Sequence, residues 1–90
     1  MAPSDPVSVQ TDPVSQRQLS IAVPFTRVGA PNVTVPPGVI HFKPAQLPPG
    51  ATSFAVYLTD AQYIGKSYTG TVRLTGPMGS PIDVPVTVEL

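Results

Sequence analysis

The last nine residues carry the pattern that recurs through the chain. Ile82, Val84, Val86, Val88 and Leu90 alternate with Asp83, Pro85, Thr87 and Glu89. Successive side chains of a strand point to opposite faces, so this run predicts a half-buried strand with one apolar and one polar face. The same two-residue period returns upstream. Leu19, Ile21, Val23 and Phe25 alternate with Ser20, Ala22 and Pro24, and Phe54, Val56 and Leu58 alternate with Ala55, Tyr57 and Thr59. Over residues 68–75, Gly70, Val72 and Leu74 share an inward face, with Thr71 and Arg73 outward. Pro24 has no N–H to give a neighbouring strand, which predicts an edge or a bulge at that point.

Residues 32–35 and 39–43 supply two shorter strands, each halted by proline. Turns are predicted at Gly29-Ala30-Pro31 and over residues 76–79, and a loop over 45–52 around Pro48-Pro49-Gly50. Residues 60–66 read as a connection with one helical turn, Asp60 acting as the turn-former. Turn signals between short alternating runs predict an all-β fold, a small β-sandwich of six to seven short antiparallel strands. Residues 68–75 and 82–90 would form its closing hairpin.

Residues 1–16 read differently and divide the chain into an extended N-terminal arm (1–16) and a folded domain (17–90). The word Asp-Pro-Val-Ser occurs at residues 5–8 and again at 12–15. Prolines at 6 and 13 block a continuous helix and push the preceding Asp towards an extended backbone. Stretched out, sixteen residues span about 50 Å at about 3.3 Å each. Two readings stand: a disordered terminus, or an arm laid on a neighbouring subunit. In the second, Pro6, Val7, Val9, Pro13 and Val14 would make the contacts.

Composition narrows the class. Five Lys and Arg balance five Asp and Glu, and only 11% of the 90 residues are charged. A nucleic-acid partner calls for a basic face that displaces counterions, so none is expected. No stretch has the length or apolar character of a membrane span, and no basic amphipathic helix is visible, so no membrane partner is expected. Cysteine is absent, which favours a self-sufficient core over a disulfide framework. With Met1 as the start and no basic-then-apolar leader, the reading is a chain made in the cytoplasm.

Residues 67–76, Ser-Tyr-Thr-Gly-Thr-Val-Arg-Leu-Thr-Gly, followed by 81–90, Pro-Ile-Asp-Val-Pro-Val-Thr-Val-Glu-Leu, resemble the closing hairpin of bacterial and phage immunoglobulin-like modules. Those modules end on a Tyr-x-Gly-x-Val strand and a Val-Pro-Val-x-Val strand. The segment Pro37-Gly-Val-Ile-His-Phe42 fits the same outline. The likeness runs over residues 32–90 and is close over the last 24. It implies an immunoglobulin-like sandwich, without the Cys and Trp of antibody domains.

Candidate chemistry is sparse. His41 is the lone histidine and falls on the strand face opposite Ile40 and Phe42, with no recognisable nucleophile or acid partner. Asp83 and Glu89 share a face, but six residues separate them by about 20 Å along a strand. No catalytic, cofactor-binding or metal-ligating residue is expected, and no cofactor. Tyr57, Tyr63 and Tyr68 could line an aromatic binding face, or Tyr57 and Tyr68 could be edge positions covering the core, the structural reading being preferred because no Trp is present and no Asn or Asp cluster flanks them. The expectation is therefore a non-enzymatic structural protein of a bacteriophage virion, a head-decoration protein or a tail or fibre accessory. It would bind other protein subunits, or copies of itself, within an oligomeric assembly. The alternative is an immunoglobulin-like binding module of a larger bacterial surface or secreted protein, such as an adhesin or a carbohydrate-binding accessory domain.

Overall fold

The computed structural model describes residues 7–9, 16–77 and 80–90. They form eight strands: β1 (Val7–Ser8), β2 (Arg17–Arg27), β3 (Ala30–Thr34), β4 (Ile40–Lys43), β5 (Gln46–Leu47), β6 (Ser53–Leu58), β7 (Ser67–Thr75) and β8 (Ile82–Glu89). Short 3₁₀ turns occupy Pro37–Val39 and Ala61–Tyr63, and no α-helix occurs among the described residues. The all-β expectation holds, but the strand number is eight and not six to seven. The extra two, β1 and β5, are two residues long. A pair of residues carries no period, so alternation could not announce them.

The strands form two antiparallel sheets, one in the order β1-β6-β4 and one in the order β3-β2-β7-β8, with β5 pairing the start of β2. One core draws on both sheets. Phe54, Val56 and Leu58 of β6 and Ile40 of β4 meet Phe25 of β2, Tyr68, Val72 and Leu74 of β7, and Val86 and Val88 of β8. The alternation read in β6 and β8 matches the burial throughout, and in β7 everywhere but at Gly70 and Thr71, which are both half-buried. Val35 and Leu47 complete the core from connecting segments, both fully buried. Leu47 belongs to the stretch read as loop. Its pairing with Arg17 carries the chain between β4 and β6 across to the other sheet.

β2 shows why simple alternation misplaces one residue. Against β7, Ile21 lies opposite Val72, Val23 opposite Thr71 and Thr26 opposite Thr69, so the register slips twice around Pro24. Each extra residue inverts the side-chain phase. Val23 is thereby turned outward, 52% exposed, while Phe25 returns to the interior. The bulge expected at Pro24 is present, although β2 lies inside its sheet and not at an edge. Phe25 then lies over Gly70, which has no side chain to obstruct the ring. The turn between β2 and β3 is Val28-Gly29, one step earlier than expected, and Ala30 and Pro31 begin β3. Gly29 has φ +85°, a conformation that glycine adopts without a Cβ penalty.

Candidate functional site

The N-terminal segment supplies the first candidate residues. Val7 lies opposite Phe54 in the β1–β6 ladder, and the Val9 N–H donates to the Thr52 carbonyl at 2.8 Å. Both valines are half-buried and pack on the core cluster. Within the chain, both residues contact their own folded domain. Pro6, Pro13 and Val14 lie outside the described residues.

The second candidate lies at the end of the domain where β2 turns into β3 and β7 begins. There the Val28 N–H donates to Ser67 O at 2.9 Å. The Gly65 N–H donates to Leu90 O at 2.5 Å, and the Leu90 N–H donates to Lys66 O at 3.0 Å. These bonds tie three chain segments around an open cleft of about 550 Å³, lined by Arg27, Val28, Lys66 and Glu89 among others. Val28, at 52% exposure, and Ile64, at 41%, are large aliphatic side chains left in solvent at this end. The sequence reading did not single out Val28 or Ile64. A lone apolar residue in a turn gives no periodic signal that separates exposed from buried.

The tyrosines do not share a face. Tyr68 is buried, and its hydroxyl donates to the Tyr63 carbonyl at 2.5 Å. Burial raises the Tyr68 pKa above the ordinary value; nearby Arg27 works against this and Tyr63 adds to it. Tyr63 is half-buried and packs on the core, whereas Tyr57 stacks with His41, ring centroids 5.4 Å apart and planes 24° apart. His41 thus stands on the outer face of the β4–β6 pair, as the alternation implied.

The carboxylates are engaged locally. Asp60 accepts from the Gln62 N–H at 3.1 Å and from Gln62 Nε2 at 2.9 Å, which makes it the turn-former expected of it. Asp83 takes a two-pronged bond from Arg73, Nε to Oδ1 at 2.8 Å and Nη2 to Oδ2 at 3.1 Å. That hydrogen bonding holds the Asp83 carboxyl below the ordinary carboxylate range and raises Arg73. The described residues contain no group of three His, Cys, Asp or Glu placed to hold a metal ion.

No family model matches the chain, and no curated protein or solved structure matches it either.

Proposed function

We propose that the chain is an immunoglobulin-like sandwich acting as a non-enzymatic assembly protein, a bacteriophage virion component such as a head-decoration or tail or fibre accessory subunit. Two observations support the immunoglobulin-like part. The sheet orders β1-β6-β4 and β3-β2-β7-β8 follow the B-E-D and C′-C-F-G orders of that architecture, with β7 and β8 as the F–G hairpin. The bond from the Tyr68 hydroxyl to the Tyr63 carbonyl, at the corner between β6 and β7, has the form of a tyrosine corner.

The assembly reading rests on two aliphatic side chains left exposed in connecting turns, Val28, which lines the cleft with Arg27 and Lys66, and Ile64, next in sequence to its Gly65. A small sandwich that presents apolar loops to neighbours gains the same contact at every position of a symmetric lattice. Other protein subunits, or copies of the chain, are the partners.

An antibody raised against the folded domain tests this. It should label virus particles purified from lysed host cells, in immunogold electron microscopy. Labelling of intact, uninfected bacterial surfaces would overturn the virion reading in favour of a surface-protein module. In a particle-binding assay, Val28→Asp with Ile64→Asp should reduce binding at least tenfold; unchanged binding would remove the loop end from the interface.

A further inference from the structure

β4 is the last strand in the sheet order β1-β6-β4, so one of its edges has no neighbouring strand. The Thr59 N–H donates to the Val39 carbonyl at 3.0 Å, and residues 39 and 59 continue the β4–β6 register. Bonded and non-bonded pairs alternate in an antiparallel ladder, so His41 and Lys43 turn their backbone groups to β6. The N–H and C=O of Ile40 and Phe42 therefore face the open edge.

A second open edge lies near it. β5 pairs β2 at Arg17 and Gln18, and β3 pairs it at Thr26 and Arg27, which leaves residues 20–24 without a strand on that side. The Leu90 N–H donates to Lys66 O, and by the same alternation Val72 bonds β8. Its partner Ile21 accordingly turns its backbone groups away from β7, to the open side. Both edges border one open groove of about 320 Å³, lined by Leu19, Ile21, Ile40 and Phe42, and by Pro37 and Ala45 among others. The first four belong to the core or pack against it. Backbone groups that no strand claims, beside apolar side chains at alternate positions, are what an added strand requires.

The chain already shows one such addition. Val7 and Ser8, from the word Asp-Pro-Val-Ser at residues 5–8, lie as β1 on the other border of the same sheet, with Val7 opposite Phe54 and packed on the core. The word recurs at residues 12–15. It is four residues long, as is β4, and it opens on Asp12, opposite in charge to Lys43, the one charged residue of β4. Pro13 suits an outermost strand, where a missing N–H is tolerated.

We propose that the groove between β4 and β2 receives residues 12–15 of a second copy of the chain, added as a strand to the β4 edge with Val14 in the apolar groove. This deepens the assembly reading by naming another copy as the partner. The test reads the groove directly, so it can fail while Val28 and Ile64 still bind particles.

The ¹⁵N-labelled full chain, at low concentration, is titrated with a synthetic peptide of residues 10–16 blocked at both ends, and separately with a scrambled peptide of the same composition. At saturation, hydrogen exchange at the Ile40 and Phe42 amides should slow at least tenfold, and their signals should shift while those of Val28 and Ile64 stay in place. The scrambled peptide, and a peptide carrying Val14→Asp, should do neither. Ala45 is exposed, so Ala45→Glu should keep the melting temperature of the parent chain yet lose the response. Raising the concentration of the full chain alone should move the same two amides, and Val14→Asp in the chain should abolish that movement. No response at Ile40 and Phe42 would overturn the proposal. An equal response to the scrambled peptide would do so too, since the groove would then take any extended segment, as would a response confined to Phe54, the sign of a peptide displacing β1.

Discussion

Gly70→Ala tests the packing on which the sandwich depends. A methyl group on residue 70 would stand 2.9 Å from Phe25 Cε1 and 3.0 Å from the Val23 carbonyl oxygen, and closer still to Phe25 Cδ1. Comfortable carbon–carbon separations are about 3.5–4.0 Å. The ring cannot swing aside, because Phe25 is fully buried. The carbonyl cannot retreat freely either, since Val23 sits between the two register slips of β2. Overpacking of this kind costs about 1–3 kcal/mol. Alanine also narrows the unfolded ensemble, which returns about 0.4–1 kcal/mol.

A net loss of about 1–2 kcal/mol corresponds to a fall of about 4–16 °C in Tm for a domain of this size. Thermal and urea unfolding followed by circular dichroism should show that fall, with the urea dependence of stability unchanged. Phe25→Leu should lose stability alone yet relieve the alanine variant. A double-mutant cycle should then give a coupling of about 1 kcal/mol or more. A Gly70→Ala protein as stable as the parent, or additive effects in the cycle, would refute the account of β2 in which two slips return Phe25 to the core over a bare backbone.

Leu47→Ala should cost about 2–5 kcal/mol in urea unfolding, because a fully buried side chain leaves a cavity even though its strand is two residues long. Tyr68→Phe should cost about 0.5–1.5 kcal/mol through the lost bond to Tyr63 O. The raised Tyr68 pKa means that this residue's pH-linked stability is full below the unfolded tyrosine pKa of about 10, and is lost as pH rises through the folded value. Stability measured across the alkaline range should fall less steeply in Tyr68→Phe. For Asp83 the sign is opposite: its contribution is present above the ordinary carboxylate range and is lost as pH falls through the lowered folded value. A ¹³C NMR titration should find Asp83 below the usual carboxylate range and raised in Arg73→Gln, where the lowering hydrogen bond is lost.

The candidate contact surfaces were less legible than the strands. Val7 and Val9 stood out in the sequence as apolar residues in a proline-bearing segment. Their pairing with β6 depends on residues some 45 positions away, a relation that no local pattern expresses. Val28 and Ile64 gave no signal at all, because exposure in a turn is set by which segments the fold brings beside it. Asp60 was legible because its bonds are to Gln62, two residues on. The bond that fixes Tyr68 was not, although its partner is only five residues away, since it needs the corner between the sheets to be folded.

The sequence by itself determined that the chain is a β protein, and which residues of β6, β7 and β8 face inward. Those properties follow from the two-residue geometry of a strand, which acts between immediate neighbours. Tertiary structure decided the rest. It turned Val23 outward and Phe25 inward through slips that exist only relative to β7. It drew Leu47 and Val7 into ladders with distant strands, and it buried Arg17. Register and burial are relations between segments far apart along the chain, so they come into being only when the sheets meet.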